Sequence, residues 1–366
     1  MPRITVVLAL AAAVAAPLAA QDDAALAKAR AFLASRPIID GHNDLPWEIR
    51  TNPVSRMDVA KYPLRTRAPG QTDFARLRQG GVGAQFWSVY IPGEVRDSGY
   101  ARMQLEQIDI ARRMIAMYPD ALELALTAAD VERIMQTDKV ASLLGMEGGH
   151  AIENSLGALR MYYTLGVRYM TLTHNVTLNW ADAAADIARY EGLTDFGREV
   201  VREMNRLGMI VDLSHVSIAT MHDALDETKA PIIFSHSSAR ALRDHPRNVP
   251  DEVLRRLPAN GGVVMVTFVT GFLVDGTRST VADVANHIEH IRRVAGIDHV
   301  GIGGDYDGTS DLPEGMEDVS GYPLLFAELI RRGWTEAELD QLARTNVLRV
   351  LRGVEQTRDR LAAGAR

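Results

Sequence analysis

The stretch Ile38-Ile39-Asp40-Gly41-His42-Asn43-Asp44-Leu45-Pro46-Trp47, "IIDGHNDLPW", is a short apolar run that ends in glycine, a His-x-Asp pair and a Pro-Trp break. A few strand-forming residues bounded by turn formers read as a β-strand. Residues two apart in an extended chain project to one side. His42 and Asp44 therefore point together, Asn43 points away in a supporting role, and Pro46-Trp47 reads as the turn that ends the strand.

The same pattern recurs along the chain. Apolar runs at 37–40, 83–90, 140–146, 169–172, 209–212, 231–234, 262–267 and 300–303 read as strands, separated by amphipathic helical stretches. Capping sequences mark several helix starts: Thr127 to Asp130, Thr194 ahead of 196–207, and Thr335 to Glu338. Residues 50–70 read as an irregular loop over one barrel face. Eight short apolar strands, each followed by a helix, predict an α/β protein with a parallel sheet, closed as a (β/α)8 TIM-type barrel. An open doubly wound sheet is the alternative.

The 366 residues are 24% charged and 47% hydrophobic, an ordinary globular composition. Met1-Pro2-Arg3, the apolar run to Ala16 and the small residues ending at Ala20 read as a secretory signal peptide over residues 1–20. The run is too short to span a bilayer, which needs about 20 apolar residues. Residues 21–366 then form a single barrel domain, secreted or periplasmic, with no stable membrane anchor. Loss of Arg3 takes the net charge from −7 to −8, and no basic block suggests nucleic acid as a partner. The chain has no cysteine, so a metal would be held by histidines and carboxylates. A disulfide-linked dimer is excluded, and a noncovalent homodimer stays open.

In a barrel of this kind the carboxyl ends of the strands converge on one face. The residues just past each predicted strand are unusual as a set: His42 and Asp44, Glu147 in "GMEGGH", His174 in "TLTHN", His215 in "DLSHVS", His236 in "FSHSS" and Asp305 in "GGDYDG". Singly, each reads as a hydrogen-bonded structural residue. Together they predict a metal site, because independent loops have no reason to place such groups at one end of six strands. The donors exceed the four ligands of one tetrahedral zinc, so the set suits two ions, with Glu147 central enough to bridge them. Mixed nitrogen and oxygen ligation suits Zn²⁺, with Mn²⁺ or Co²⁺ as substitutes.

These residues, with "DGHNDLPW", "GGVGAQFWSVY", "EGGHAIENSLGALR", "RYMTLTHN", "DLSHVS", "PIIFSHSSAR", "RNVPD" and "GGDYDG", resemble the membrane dipeptidase (renal dipeptidase) family of metallopeptidases, within the amidohydrolase-type barrels. The resemblance runs from about residue 38 to 354. It implies two Zn²⁺ per chain: His42 and Asp44 on the first metal, Glu147 bridging, His215 and His236 on the second. It implies that Asp305 binds near the first metal and shuttles a proton to the leaving amine, and that His174 stabilises the oxyanion. It implies that Arg247 holds the substrate carboxylate, with Arg240 and Arg243 as neighbours that could serve instead. The expected activity is hydrolysis of dipeptides by a metal-bridging hydroxide, with tolerance of a C-terminal D-residue. A metal-dependent amidohydrolase acting on N-acyl amino acids or β-lactams, and a non-catalytic exported ligand-binding barrel, are the competing readings. His150, Asp212 and Asp307 are expected as supporting residues. Trp47, Phe86, Trp87 and Trp180 are expected in the core or along the pocket. Residues 176–190 are expected to shape the pocket.

Overall fold

A computed structural model describes residues 24–94 and 99–364, so the expected signal peptide lies outside the described residues. Nine strands form: β1 Ile38–Asn43, β2 Val82–Ser88, β3 Leu122–Leu124, β4 Val140–Glu147, β5 Val167–Thr171, β6 Ile210–Asp212, β7 Ile233–Phe234, β8 Val263–Val266 and β9 Val300–Ile302. Every pairing is parallel. β2 pairs directly with β4 and β9 with β1, so all except β3 close into an eight-stranded barrel. The eight predicted strands and the (β/α)8 barrel are therefore present, and the open sheet is excluded. β3 is the element not anticipated from the sequence. It pairs with the start of β4 (Val140–Ser142), while β5 pairs with the rest (Leu144–Glu147).

Both faces of the sheet are covered, and the strands show it: all eight residues of β4 and all six of β1 are buried. Ile39, Phe86, Leu143, Tyr169, Ile233 and Met265 belong to one buried cluster. Their strand neighbours Ile38, Trp87, Leu144, Met170, Phe234 and Val266 belong to the larger cluster shared with the surrounding helices. The predicted caps form. Thr127 and Thr335 make full capping boxes with Asp130 and Glu338, and Thr194 caps the helix Asp195–Leu207.

One local expectation is corrected. Pro46 and Trp47 do not end the first strand in a turn; they lie in the first turn of a helix, Leu45–Thr51. Proline suits that place because the first helical N–H groups have no intrahelical acceptor. Residues 52–70 are irregular as expected, with one 3-10 turn at Val59–Lys61 and buried Val59, Tyr62 and Leu64. Among the described residues no helix is long and apolar enough to cross a membrane.

One close approach shapes the barrel interior. A Cβ on Gly145 would lie 2.0 Å from the Tyr169 ring, so only glycine lets that ring cross beside β4. Gly145→Ala is expected to destabilise the protein by about 1–3 kcal/mol through overpacking, read as a lower urea midpoint with unchanged slope.

Candidate active site

The carboxyl ends of the strands bring all eight predicted site residues to one face. Glu147 is the last residue of β4, His42 lies within β1, and His174, His215, His236 and Asp305 follow β5, β6, β7 and β9. Glu147 is reached from two sides. Its Oε2 lies 3.5 Å from His42 Nε2, while its Oε1 lies 3.0 Å from His215 Nε2 and 3.4 Å from His236 Nε2. His174 Nε2 stands 3.8 Å from Oε1, and the Ser88 hydroxyl donates to Oε2 at 3.3 Å. The same His42 Nε2 also faces Asp44 Oδ2 at 3.1 Å and Asp305 Oδ1 at 3.9 Å. Three overlapping groups of this set have ligand atoms within 4.8 Å of one another: His42 with Glu147 and His236, Glu147 with His174 and His215, and His42 with Asp44 and Asp305.

Local backbone choices aim these groups. Asp44 occupies the N-cap of the helix Leu45–Thr51 yet makes no cap hydrogen bond, because its carboxylate is turned to His42. His215 and Asp305 adopt left-handed backbone at φ 66 and 64, which is strained for residues with a Cβ. Gly308 lies against both aspartates: a Cβ there would sit 2.4 Å from Asp44 Oδ2 and 2.6 Å from Asp305 Oδ1.

The outer ring nitrogens are held as a metal site requires. His42 Nδ1 donates to the Tyr169 hydroxyl (2.9 Å), which donates onward to the Gly41 carbonyl (3.2 Å). His215 Nδ1 faces Asn175 Oδ1 at 3.1 Å, and His236 Nδ1 faces the Ser235 hydroxyl at 2.8 Å. With the Nδ1 protons spent outward, the neutral rings of His215 and His236 carry lone pairs on their inner nitrogens. His215 Nε2 and His236 Nε2 nevertheless stand 2.9 Å apart. Two lone pairs at that distance repel, and a cation between them and Glu147 is the natural remedy. The donor set fits a metal.

The charges agree. Burial opposes ionisation of His42, but Tyr169, Glu147 and Asp44 overcome it and raise its pKa well above the usual value. Burial depresses His215 and His236 well below theirs, with Arg247 adding to both. Glu147 is held well below the carboxylate range: burial works against this, and His42 and His174 prevail. Asp305 is pushed up to about 8 by burial, with Asp44 and Glu147 adding to the shift.

Arg247 is 4% exposed and donates to the His236 carbonyl at 3.3 Å, while its Nη1 is buried without a partner. Burial lowers the guanidinium to about 10. Arg240 and Arg243 pair instead with Asp244 and Asp275. His174 Nδ1 is likewise buried and unpaired, and its ring packs against Tyr90 and His215.

The expected supporting residues divide. Asn43 holds Thr72 and the Leu45 N–H, and Asp307 Oδ1 accepts from the Gln71 N–H. His150 turns away from Glu147 to the Ile91 carbonyl and lines a neighbouring pocket of about 390 Å³ with Tyr100, Val176 and Trp180. Residues 176–180 and Arg189, from the segment after His174, line that neighbouring pocket. Phe86 and Trp87 are core, while Trp47 stands edge-on to Tyr90. Tyr169, Asn175, Ser235 and Ser88 were not anticipated. Their only sequence signal is a polar group inside or just after an apolar run.

A family model described as "Membrane dipeptidase (Peptidase family M19)" matches residues 26–364. The chain belongs to this family. A "Dipeptidase 3" of Rattus norvegicus is 48% identical over 338 residues, 91% of this chain and 68% of the relative. A metallopeptidase from Rhodobacter sphaeroides, solved with a phosphinate mimic of the dipeptide L-Ala-D-Ala, shares 27% identity at TM-score 0.80 over 87% of this chain and 99% of its own. An amidohydrolase from Pseudomonas aeruginosa shares 27% identity at TM-score 0.75 over 89% and 98%. The protein is a metal-dependent dipeptidase, a hydrolase acting on peptide bonds.

Tyr169→Phe removes the acceptor of the buried His42 Nδ1 proton. It is expected to lower the stability of the metal-free protein by about 1–3 kcal/mol in urea denaturation.

Proposed function

We propose that the protein is an exported dipeptidase working with two zinc ions, and that it accepts dipeptides ending in a D-residue. The observation that carries the dinuclear reading is the Glu147 carboxylate, with one oxygen toward His42 and the other toward His215 and His236. His42, Asp44 and Asp305 would hold one ion, His215 and His236 the other, and Glu147 both. Such ions, when bound, lower the pKa of water and polarise a carbonyl.

The protein's own groups do the rest. Arg247 has a buried, unpaired Nη1 and binds the carboxylate of the second residue, fixing substrate length at the C-terminal side. His174, across from Glu147, donates to the carbonyl oxygen as it gains charge. Asp305, beside His42 and Asp44, takes the proton from water and delivers it to the leaving nitrogen as the C–N bond breaks. Tolerance of a C-terminal D-residue is supported by the Rhodobacter relative, solved with a mimic of L-Ala-D-Ala. Export is supported by the composition of residues 1–20, and N-terminal sequencing of the secreted or periplasmic product tests it.

A panel of L,L and L,D dipeptides, their C-terminal amides and N-acyl amino acids tests the activity, with metal content measured in parallel. Turnover is expected for free-carboxylate dipeptides and lost for the amides. Absence of turnover on every dipeptide by protein carrying two metals per chain would sink the reading, and preference for N-acyl amino acids would move it to that substrate class. Arg247→Ala is expected to lower kcat/KM about 10-fold to 150-fold through KM, the worth of about 1.5–3 kcal/mol for a charged hydrogen bond. Glu147→Gln is expected to reduce bound metal below two per chain and to abolish most activity, measured by elemental analysis and the same assay.

A further inference from the structure

Beneath the ligating face lie two buried aspartates, each surrounded by four donors. Asp40 accepts from the Gln85 amide (2.7 Å), the Tyr322 hydroxyl (2.7 Å), and the His42 (2.9 Å) and Gly304 (2.8 Å) N–H groups. Asp212 accepts from the Thr171 hydroxyl (2.5 Å), the Ser235 hydroxyl (2.7 Å), and the Ser235 (2.8 Å) and Ser214 (3.1 Å) N–H groups. Only Asp212 connects to an imidazole, since the Ser235 oxygen that donates to it lies 2.8 Å from His236 Nδ1.

We infer that Asp212 is a positioning residue which, through Ser235, fixes His236 in the Nδ1–H tautomer and so keeps its Nε2 free to bind metal. The argument is proton counting. The Ser235 hydroxyl has one proton, and giving it to Asp212 leaves only lone pairs for His236. Nδ1 must then carry the imidazole proton and donate it to Ser235. If the hydroxyl turned the other way, His236 would be protonated on Nε2. That proton would point at His215 Nε2, 2.9 Å away, where a ligand lone pair is needed.

The remaining contacts of Asp212 enforce the direction. Two backbone N–H groups, which cannot reverse, occupy Oδ1, and the Thr171 hydroxyl shares Oδ2 with Ser235. His42 and His215 use Tyr169 and Asn175 for the same purpose. Among the three ligating imidazoles, His236 alone has its tautomer set by a carboxylate one hydroxyl away. The inference rests on His236 being a metal ligand.

Asp212→Asn keeps one oxygen for the backbone N–H groups and turns its NH₂ toward the hydroxyls, so the Ser235 proton swings to His236 Nδ1. Histidine ¹⁵N NMR on the metal-free protein reads the tautomer directly, whether or not zinc binds. Zinc titration against a chromophoric chelator reads the consequence. The wild type is expected as Nδ1–H and Asp212→Asn as Nε2–H, with zinc binding weakened roughly 10-fold to 100-fold. Ser235→Ala should also lose the single tautomer and weaken zinc binding. Adding Asp212→Asn to it should change affinity by less than about twofold, because the link is already cut. Asp40→Asn, which removes an equally buried carboxylate, should leave the His236 tautomer unchanged.

The inference is overturned if His236 stays Nδ1–H in Asp212→Asn. It is overturned equally if that change weakens zinc binding as much without Ser235 as with it, or if Asp40→Asn alters the tautomer. Should Asp212→Asn fail to fold, Ser235→Ala decides: a retained single Nδ1–H tautomer overturns the inference.

Discussion

A buried carboxylate must be surrounded by donors or cations, because leaving it uncompensated costs several kcal/mol. Glu147, 4% exposed, gathers groups from five strands or the loops that follow them, but the neutral His215 and His236 turn lone pairs to it and leave part of that demand to a cation. His42 comes from β1, Ser88 from β2, His174 from the end of β5, and His215 and His236 from the ends of β6 and β7. The site is thus built around one side chain at the end of β4. That explains why the loops accept unfavourable backbone, since His215 and Asp305 reach their positions only through left-handed conformations. It also explains why Asp44 forgoes the cap hydrogen bond its N-cap position offers.

Beneath that layer, each imidazole is oriented by a different device. A tyrosine crossing the barrel interior holds His42, an amide on the next loop holds His215, and a hydroxyl backed by a carboxylate holds His236. All three turn the Nδ1 proton outward; His215 and His236 then present an inward lone pair, while the carboxylates around His42 Nε2 hold a second proton there that metal binding would release. Ligation needs the inner nitrogens unprotonated, so outer contacts that fix the proton on Nδ1 favour metal.

The barrel was legible because strands buried on both faces read as continuous apolar runs, and each ended where a histidine or carboxylate stood. β3 escaped notice for the complementary reason: it is three residues long and carries the half-buried Glu123, so it has no apolar run to see. The helix Leu45–Thr51 was misread because its N-cap residue serves the site, which left Pro46 looking like a terminator rather than a helix start. The ligating face was legible from strand-end positions alone. Its supports were not, because Tyr169 lies 127 residues from His42 and Asn175 lies 40 from His215. A tyrosine within an apolar strand reads as core until the ring nitrogen it meets is known. Ser235, adjacent to His236, was within reach of the sequence. Its role depends on Asp212, which only the barrel brings beside it.

The placement of charge also bears on what the mouth can accept. Asp44, Glu147 and Asp305 crowd one region, and their mutual repulsion, added to burial, lifts Asp305 to about 8. Arg247 is buried nearby with an unpaired Nη1, and its charge further disfavours protonation of His215 and His236. A site with only the carboxylates would attract any cation, and one with only the arginine would attract any anion. With cations neutralising the carboxylates, the guanidinium becomes the uncompensated charge, and the complementary guest carries a carboxylate a short distance from a polarisable carbonyl. A dipeptide satisfies both demands at once. On the proposed role of Arg247, a peptide extended at its C-terminal side would continue past the point where the guanidinium calls for a terminal carboxylate, so the same buried charge would bind the substrate and limit it on that side.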